Sequence, residues 1–277
     1  MSKTFALIGA GGYIAPKHIE AIKANGCELI EIVDINDSVG IIDRYFPNCK
    51  YSTKLTTKPD YVSICTPNFL HYDHIKEAIA KGCNVICEKP VVLHSHQINQ
   101  LKALADLKGV SVNCILQLRL NPMVELLKEY VQASMPNTGN NIRLDYLTPR
   151  GDWYHKSWKG DKIKSGGLLF NIGIHFFDLL IYLLGDVEEI KAQRWSANTT
   201  TEGAIEFELG FCSYALSNSF AVTKKPYRKL SVNGINIDLT KGFTDAHTLS
   251  YERILQGKGF DITEAKKSIE LIESINK

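Results

Sequence analysis

The stretch Asn84-Val85-Ile86-Cys87-Glu88-Lys89-Pro90-Val91 begins as an apolar strand pattern and stops at a charged pair followed by proline. In an open parallel α/β sheet, ligands bind outside the carboxyl ends of the strands, so Lys89 is expected to point into a cleft there. Proline fixes its own φ and restricts the residue before it, which favours an extended Lys89. On these residues alone, a solvated Glu-Lys pair at a surface strand end is the alternative.

The N-terminal segment has the order strand, glycine turn, helix. Phe5-Ala6-Leu7-Ile8 is followed by Gly9-Ala10-Gly11-Gly12-Tyr13-Ile14, and Pro16 lies near the start of a helical stretch. Glycines permit a tight turn and let the backbone approach a pyrophosphate, which the N–H groups of a helix N-terminus stabilise. Ile14 replaces the third glycine of the usual Gly-x-Gly-x-x-Gly pattern, and a turn that binds no ligand is the alternative interpretation.

Asp34 ends the next predicted strand, Glu28–Val33. It lies about 20 residues beyond the glycines, where a ribose-binding carboxylate is expected. Such a carboxylate accepts hydrogen bonds from a ribose 2′-hydroxyl and repels a 2′-phosphate. No arginine or lysine follows before Arg44, so the sequence favours NAD over NADP. A plain turn residue is the alternative role for Asp34.

Strands continue to alternate with helices as far as Gln117. Tyr61–Cys65 is a predicted strand that ends at Thr66-Pro67-Asn68, and a helix is predicted from Tyr72 to Lys81. This alternation, with short turns between the elements, indicates parallel βαβ units in a doubly wound sheet. We therefore predict an α/β protein whose residues 1–117 form an NAD-binding Rossmann domain.

Residues 118–277 are predicted to form a second domain of the α+β type, for substrate binding and oligomerisation, on an open and mostly antiparallel sheet. An apolar helix, Gly166–Leu184, interrupts the strand patterns. The last helix, Ile262–Ile275, has one apolar face and is expected to pack back on another element, which could be domain 1. The predicted strands are Ile142–Tyr146, Glu188–Ala197, Ala204–Phe211, Ser213–Phe220 and Lys229–Ile237.

The apolar helix carries Asn171, His175 and Asp178, and the first two are spaced i, i+4 on one face. We expect Lys89 of the first domain to face Asn171 and His175. Hydride removal from a carbinol carbon needs a base near the hydroxyl. Lowering a lysine pKa from about 10.4 to about 7.5 costs roughly 4 kcal/mol, whereas histidine needs almost no shift. We predict that His175 accepts the proton and that Lys89 polarises the hydroxyl or relays its proton. A core histidine without a catalytic role is the alternative for His175, because histidines on apolar helices are often core residues.

Composition excludes several other classes of protein. The chain has 277 residues, 44% hydrophobic and 22% charged, and its net charge is only +2, so nucleic acid is not an expected partner. The N-terminal sequence shows no apolar stretch of signal-peptide or membrane-span length, and we expect a cytoplasmic protein without a membrane partner. The seven scattered cysteines form no Cys-x-x-Cys pair and are predicted to be reduced core thiols. We expect no metal, because the histidines show no metal-ligand pattern.

Four motifs, in this order, resemble the glucose-fructose oxidoreductase and inositol dehydrogenase family of sugar oxidoreductases: Gly9-Ala10-Gly11-Gly12, Thr66-Pro67-Asn68, Glu88-Lys89-Pro90 and Asn171-x-x-x-His175. The likeness covers nearly the whole chain. Within this family, the sequence most resembles the UDP-N-acetyl-2-amino-2-deoxyglucuronate 3-dehydrogenases of bacterial lipopolysaccharide O-antigen synthesis. Trp158-Lys159-Gly160-Asp161 with Lys164-Ser165 is a specific part of it. The longer resembling stretches are Ala6–Ala15, Asp34–Asp43, Tyr61–His71, Ile115–Arg119, Arg150–Gly166, Asn171–Asp178 and Gly242–Tyr251.

The resemblance implies a homotetrameric NAD enzyme that oxidises the sugar 3-hydroxyl of a UDP-linked acetamido hexuronate, whose 3-oxo product an aminotransferase would use. In some members NADH stays bound and 2-oxoglutarate reoxidises it, and the sequence leaves this open here. Lys89 and His175 are the implied catalytic residues. Asn171 stands where the wider family has aspartate; an amide cannot take up a proton, so we expect it to bind a sugar hydroxyl.

The predicted binding residues fall into two groups. For the cofactor they are Gly9, Gly11, Gly12, Tyr13, Ile14, Asp34, Thr66, Pro67, Asn68, His71, Glu88, Lys89 and Gln117. A UDP-hexuronate carries a pyrophosphate and a carboxylate, which call for cations and hydroxyls. For this substrate the predicted residues are Lys89, Arg119, Lys164, Ser165, Asn171, His175, Tyr227 and Arg228.

Two other functions are compatible with the sequence. The same fold and hydride chemistry could serve a free polyol or another sugar, because loop changes readily alter the substrate on one scaffold. A non-catalytic NAD-sensing protein is the alternative from another class, and the presence of both Lys89 and His175 argues against it.

Overall fold

The computed structural model describes residues 2–36, 44–134, 139–196, 199–238 and 245–277. These residues form two compact units. Unit 1 comprises Met1–Gln117 with Asp245–Lys266, and unit 2 comprises Leu118–Thr244 with Lys267–Lys277. Parts of two stretches that carried the family resemblance, residues 37–43 and 242–244, lie outside the described residues.

Unit 1 is built on a seven-stranded sheet. Its strands are β1 (Thr4–Ile8), β2 (Glu28–Val33), β3 (Lys50–Ser52), β4 (Tyr61–Ile64), β5 (Asn84–Cys87), β6 (Val112–Cys114) and β13 (Phe260–Asp261). The spatial order is β13-β6-β5-β4-β1-β2-β3, and every pair is parallel except β13 with β6. The chain adds β2 and β3 on one side of β1 and β4, β5 and β6 on the other. The crevice of a dinucleotide fold lies at this reversal of strand order.

The helices of unit 1 follow the predicted alternation. They are α1 (Ala15–Ala24), α2 (His71–Ala80), α3 (Ser95–Lys108) and α8 (Ala246–Leu255). The sheet core is apolar because strands covered on both faces bury nearly every side chain. Phe5, Leu7, Ile19, Ile22 and Ile86 are fully buried there.

Unit 2 contains a six-stranded sheet. Its strands are β7 (Asn140–Leu147), β8 (Val187–Ser196), β9 (Thr200–Phe207), β10 (Gly210–Ser217), β11 (Tyr227–Val232) and β12 (Ile235–Ile237), in the order β12-β11-β7-β10-β9-β8. Only the pairing of β7 with β10 is parallel. The helices are α4 (Pro122–Ala133), α5 (Asp152–Lys156), α6 (Lys162–Ser165), α7 (Ile174–Leu184) and α9 (Lys266–Ile275). The predicted fold class, a Rossmann domain plus a mostly antiparallel α+β domain, is confirmed.

Several details of the second half differ from the sequence predictions. The predicted strand Lys229–Ile237 is a hairpin of β11 and β12, which turns at Asn233 and Gly234. The hairpin between β9 and β10 turns at Glu208 and Leu209, so the predicted strands beginning at Ala204 and Ser213 each start three or four residues too late. Gly210 has a φ of 156° and lies so close to Asn140 that a Cβ would meet its carbonyl oxygen at 2.2 Å. This close approach lies at the first residue of β10. Gly210 and Asn140 are far apart in sequence, so the local sequence does not predict it.

The predicted helix Gly166–Leu184 is not one continuous α-helix. Leu169–Gly173 forms a π-helical turn, and α7 begins at Ile174. The i, i+4 argument for Asn171 and His175 assumed α-helical periodicity, which the π turn interrupts. Such turns occur frequently at functional sites.

Residues Asp245–Lys266 belong to unit 1 and Lys267–Lys277 to unit 2. The sequence placed residues 118–277 in the second domain and left open that the last helix packs on domain 1. The reason that Asp245–Lys266 join unit 1 is packing: Tyr251 is fully buried and belongs, with Ile254, to the same apolar core as Phe5 and Ile19. Nothing in the local sequence of α8 distinguishes this partner from another apolar surface.

By length and composition alone, the helical segment Lys162–Leu184 resembles a membrane span. Its most apolar window is 67% buried inside the protein, which is typical of a core helix. Most apolar side chains of that window are therefore already packed inside the protein, whereas Ile163 near the start of the segment is exposed.

Candidate active site

The glycine turn after β1 packs directly against the end of β4. Gly9 has a φ of 87°, in the left-handed region, and a Cβ placed there would lie 2.7 Å from the backbone nitrogen of Thr66. At Gly12 a Cβ would lie 3.0 Å from the carbonyl oxygen of Gly9 and 3.1 Å from that of Cys65. The turn is a backbone-lined cradle that side chains would fill.

Asp34 is brought to this turn as predicted. Its Oδ2 accepts a hydrogen bond of 2.8 Å from the backbone N–H of Gly11, and its Oδ1 accepts one of 3.1 Å from that of Asn36. Tyr13 is 93% exposed beside the turn. Ile14, in place of the third glycine, packs against the core of unit 1 and precedes α1.

Thr66, Pro67 and Asn68 connect β4 to α2, and His71 is the first residue of that helix. The buried His71 ring contacts two carbonyl oxygens, through Nδ1 to Pro90 at 2.7 Å and Nε2 to Thr66 at 2.8 Å. A neutral ring has one N–H and donates to only one of them; protonation supplies a second donor, but burial opposes it by lowering the pKa of His71. His71 thus ties the ends of β4 and β5 together.

Lys89 follows β5 at the carboxyl edge of the sheet and is half-buried. Its backbone N–H donates to Oε2 of Glu88 at 3.1 Å, and the Lys89–Pro90 peptide is cis. Gln117 lies beyond β6 on the same edge. The structure therefore places the predicted cofactor residues at the ends of β1, β2, β4, β5 and β6.

Two buried polar atoms of this group have no hydrogen-bond partner: Oγ1 of Thr66 and Oε1 of Gln117. Buried polar atoms in folded proteins are normally satisfied, so such atoms point to a missing ligand or water. Together with the glycine cradle and the Asp34 carboxylate, they fit a dinucleotide whose pyrophosphate lies against the glycine turn.

In unit 2, Asn171 lies in the π turn and His175 is the second residue of α7, both half-buried. The side-chain amide of Asn171 donates a 3.1 Å hydrogen bond to the carbonyl of Lys159. Burial raises the pKa of Tyr154, and the side chain of Asn218, the charge of Arg150 and the side chain of Asn171 oppose that rise. Tyr154 is therefore close to all three.

Lys159 is a cation in the same part of unit 2. Burial lowers its pKa, and the positive charge of Arg150 lowers it further. Its Nζ lies 5.8 Å from the ring centre of Trp153 and 5.7 Å from that of Trp158. Nε of Arg150 and Oδ1 of Asn218 are buried without a partner. Two cations and unsatisfied polar atoms form a site suited to an anionic, hydroxyl-rich ligand.

The remaining predicted substrate residues are engaged elsewhere in unit 2. Arg119 is 6% exposed and forms a two-pronged ion pair with the buried Asp178, with Nε–Oδ2 at 2.9 Å and Nη2–Oδ1 at 2.7 Å. Such a pair fixes the start of unit 2 to α7. These bonds give no support to a substrate contact, which for Arg119 stays a prediction.

Ser165 is fully buried, and its hydroxyl accepts a hydrogen bond of 3.0 Å from Gly167 N–H. Lys164 is exposed, with Nζ 3.8 Å from the carboxylate of Asp161. Tyr227 and Arg228 lie on β11, where the Arg228 guanidinium is 5.0 Å from the ring centre of Tyr146. Their proposed contacts to the substrate stay predictions.

Sequence reasoning missed several polar residues: Arg150, Tyr154 and Asn218 in unit 2, and His18, His247 and Tyr251 in unit 1. Tyr154 and Asn218 are more than 60 residues apart, and nothing local marks them as neighbours. Lys159, which the sequence offers both in the specific Trp-Lys-Gly-Asp pattern and as a candidate cation for the substrate, was the available signal for the unit 2 cluster.

Sequence profiles of known families match most of the chain. The profile of an oxidoreductase family, Gfo/Idh/MocA, for its NAD-binding Rossmann fold, matches residues 3–115. The profile of the family's C-terminal alpha/beta domain matches residues 141–234.

Solved structures of a dehydrogenase, WlbA (WbpB) from Thermus thermophilus, are similar over the full chain. Sequence identity is 36%, and the match covers 100% of this chain and 95% of that one. The TM-score is 0.93 for the complex with NAD and alpha-ketoglutarate and 0.92 for the complex with NAD and UDP-GlcNAcA.

Curated relatives match less completely. D-glucoside 3-dehydrogenase from Escherichia coli K12 is 27% identical over 229 residues, which is 77% of this chain and 64% of that protein. Glucose-6-phosphate 3-dehydrogenase from Bacillus subtilis is 25% identical over 209 residues, 72% of this chain and 59% of that protein. The chain thus spans less than two thirds of the length of these relatives.

Proposed function

Because the chain belongs to the Gfo/Idh/MocA oxidoreductase family, we propose that it is an NAD-dependent dehydrogenase of a nucleotide sugar. The substrate is UDP-N-acetyl-2-amino-2-deoxy-D-glucuronate, and the reaction oxidises its sugar 3-hydroxyl to a ketone. The observation that carries this proposal is the full-length similarity, at 36% identity, to a dehydrogenase solved with NAD and UDP-GlcNAcA.

The cofactor is held by residues of unit 1. Gly9, Gly11 and Gly12 provide the cradle for the pyrophosphate. Asp34 accepts hydrogen bonds from the ribose hydroxyls, and Thr66 supplies a buried hydroxyl that has no partner in the protein. When bound, NAD supplies the acceptor for the hydride that leaves the sugar. Preference for NAD over NADP follows from the negative charge of Asp34, which would repel a 2′-phosphate.

The anionic substrate is recognised by unit 2. Lys159 and Arg150 provide positive charge, and Asn171 and Tyr154 provide hydrogen-bonding groups for sugar hydroxyls. A partly buried cation binds a carboxylate or phosphate more strongly than an exposed one, because water screens the attraction less. Lys159, held near two tryptophans, is the stronger candidate of the two cations.

His175 accepts the hydroxyl proton, and Lys89 polarises the same hydroxyl. Histidine titrates near neutral pH and needs no large pKa shift for this role. Asn171 cannot act as an acid or base, so it orients the substrate.

The biological setting is part of the same proposal. The enzyme works in the cytoplasm, as a homotetramer, in the synthesis of lipopolysaccharide O-antigen, and 2-oxoglutarate reoxidises the bound cofactor. The Thermus thermophilus relative was solved with NAD and alpha-ketoglutarate, which supports this choice of reoxidant. Molecular mass in solution by light scattering tests the tetramer, with about four times 31.0 kDa expected and the mass of one chain contradicting it.

The test is to mix the purified protein with NAD and the UDP-sugar, with and without 2-oxoglutarate, and to follow nicotinamide absorbance. Turnover only with 2-oxoglutarate indicates recycling of bound cofactor, whereas accumulation of free NADH indicates an ordinary dehydrogenase. Oxidation of a different sugar, with none of this one, would replace the substrate. Normal NAD binding and full cellular function in Lys89→Ala would instead favour a non-catalytic sensor.

A further inference from the structure

A buried cluster of ionisable side chains lies behind the Glu-Lys-Pro motif in unit 1. Oε1 of Glu88 is 2.9 Å from Nε2 of His18, on α1, and 2.9 Å from Nε2 of His247, on α8. All three residues are less than 10% exposed. The second ring nitrogen of His18, Nδ1, is 2.7 Å from the hydroxyl of Tyr251, which is 2.6 Å from that of Ser63.

The chemistry of these groups fixes the direction of the hydrogen bonds. An ionised carboxylate only accepts, so both histidines present Nε2–H to Glu88. His18 Nδ1 is then an acceptor in the neutral ring, Tyr251 donates to it, and Ser63 donates to Tyr251. Although burial raises the pKa of Glu88, the bonds from both histidines outweigh it and leave the pKa well below its usual value.

The other carboxylate oxygen of Glu88 is bonded to the backbone of Lys89. Oε2 accepts the backbone N–H of Lys89 at 3.1 Å, while the carbonyl of the next residue, Pro90, is 2.7 Å from Nδ1 of His71. Buried side chains thus contact the backbone at Lys89 and at the residue after it. These contacts tie the segment that carries Lys89 to the core.

We propose that His18, Glu88 and His247, with Tyr251 and His71, are positioning residues that fix the backbone of Lys89 for catalysis. The proposal rests on the proposed function, in which Lys89 polarises the hydroxyl. A buried carboxylate is costly unless it is hydrogen-bonded, so loss of one of its donors is expected to weaken the whole cluster. Misplacing a catalytic group by a small distance costs rate without preventing ligand binding.

His18, Glu88 and His247 also have the composition of a metal site, since one atom of each lies within 4.8 Å of the others. Hydrogen bonding explains the arrangement better. Both nitrogen–oxygen distances are those of ordinary hydrogen bonds, and both bonds end on one oxygen. A bound ion would need both Nε2 atoms without hydrogen, whereas the hydrogen bonds need an N–H at each.

Neutron diffraction on a deuterated crystal at pH 8 tests the cluster without any assay of activity. We expect deuterium on Nε2 of both His18 and His247 and none on Glu88. A protonated Glu88, a deuterium-free Nε2, or a metal detected between the three side chains by anomalous X-ray scattering would overturn the proposal. This result does not depend on which sugar the enzyme oxidises.

Kinetics tests the positioning role. Glu88→Gln replaces one acceptor oxygen by a donor, and we expect kcat to fall at least tenfold, a larger factor than the change in the Kd for NAD. Glu77→Gln, an exposed change on α2, is the control. A folded Glu88→Gln protein with wild-type kcat would overturn the proposal.

A pair of variants at His247 decides the matter if Glu88→Gln does not fold. Glutamine places an N–H near the position of Nε2, whereas leucine has no donor. We expect His247→Gln to keep kcat within threefold and His247→Leu to lose at least tenfold; equal effects of the two would overturn the proposal. If the wild-type protein oxidises no sugar, the proposed function fails, and the diffraction result still decides the protonation of the cluster.

Discussion

Asp34 contacts the glycine turn and is the residue that we propose to bind the cofactor ribose. Its two oxygens accept backbone hydrogen bonds from Gly11 and Asn36. A carboxylate has about four acceptor positions, so roughly two remain for a ribose. In the proposed function the negative charge therefore acts on cofactor choice, while the same group accepts the hydrogen bond from the glycine turn.

Asp34→Asn removes the charge and keeps an oxygen for Gly11. We expect the ratio of the Kd for NADP to the Kd for NAD to fall at least tenfold, because a 2′-phosphate is no longer repelled; tenfold corresponds to about 1.4 kcal/mol. Fluorescence titration with both cofactors measures the ratio. Asp73→Asn, an exposed aspartate on α2, is the control, and an unchanged ratio in Asp34→Asn would exclude Asp34 from cofactor choice.

His175→Asn removes the proposed proton acceptor. Loss of a general base typically lowers the rate by roughly 10²–10⁴-fold, and we expect kcat to fall in that range with NAD binding unchanged. His96→Asn, at an exposed position on α3, should keep wild-type activity. Wild-type kcat in His175→Asn would assign the base to another residue.

At the scale of the element, conformations that depend on distant partners are those that sequence patterns miss. The motif Gly9–Gly12 and the end of β5 are predictable, because apolar runs and glycines are local signals. The π turn at Leu169–Gly173 and the buried pair of Arg119 with Asp178 are not, since both arise from packing between segments far apart in sequence. The sequence is enough to name Asn171 and His175 as candidates. It does not show that a π turn interrupts the α-helical spacing between them.

The glycine turn offers an element-scale prediction. Gly9→Ala combines a left-handed φ with backbone atoms 2.7 Å away, whereas Gly26, with a φ of 67°, has open space around it. Gly26→Ala isolates the conformational penalty, about 1 kcal/mol. We expect Gly9→Ala to destabilise the protein more and to weaken NAD binding at least tenfold, as measured by urea unfolding and titration. Equal destabilisation by both would contradict the close packing against Thr66.

The segment after β3 depends on one buried carboxylate. Burial raises the pKa of Glu31, but hydrogen bonds from the side chains of Ser52, Thr56 and Thr57 and from the Thr57 backbone outweigh it and lower the pKa to about 2. Because the folded pKa is depressed, this stabilisation is present above about pH 4.5 and is lost as pH falls toward 2. At about 1.36 kcal/mol per unit, it amounts to at most about 3 kcal/mol.

Glu31→Gln should therefore lower the free energy of unfolding at pH 7 and flatten its decline between pH 4.5 and 3. Glu28→Gln, exposed on the same strand, should change it by less than about 0.5 kcal/mol. Urea unfolding at several pH values measures both. An unchanged pH dependence in Glu31→Gln would show that other carboxylates cause the acid sensitivity.

At the scale of the whole molecule, the sequence predicts the two folds but not which unit each late segment joins. The predicted Rossmann pattern and family resemblance are confirmed by the seven-stranded sheet and by profiles that match residues 3–115 and 141–234. The return of Asp245–Lys266 to unit 1 was not predicted, and it brings His247 and Tyr251 to Glu88. Membership in the family indicates an oxidoreductase with an NAD-binding domain. The choice of sugar belongs to the proposed function, in which it depends on a few polar side chains of unit 2.

The most direct test uses UDP-N-acetyl-2-amino-2-deoxyglucuronate that carries deuterium at carbon 3 of the sugar, with NAD and 2-oxoglutarate. We expect mass spectrometry to show a sugar nucleotide that has lost the deuterium and one hydroxyl hydrogen, and Lys89→Ala to abolish that product. Recovery of the intact deuterated substrate, from a protein shown to bind NAD, would contradict the proposed 3-dehydrogenase.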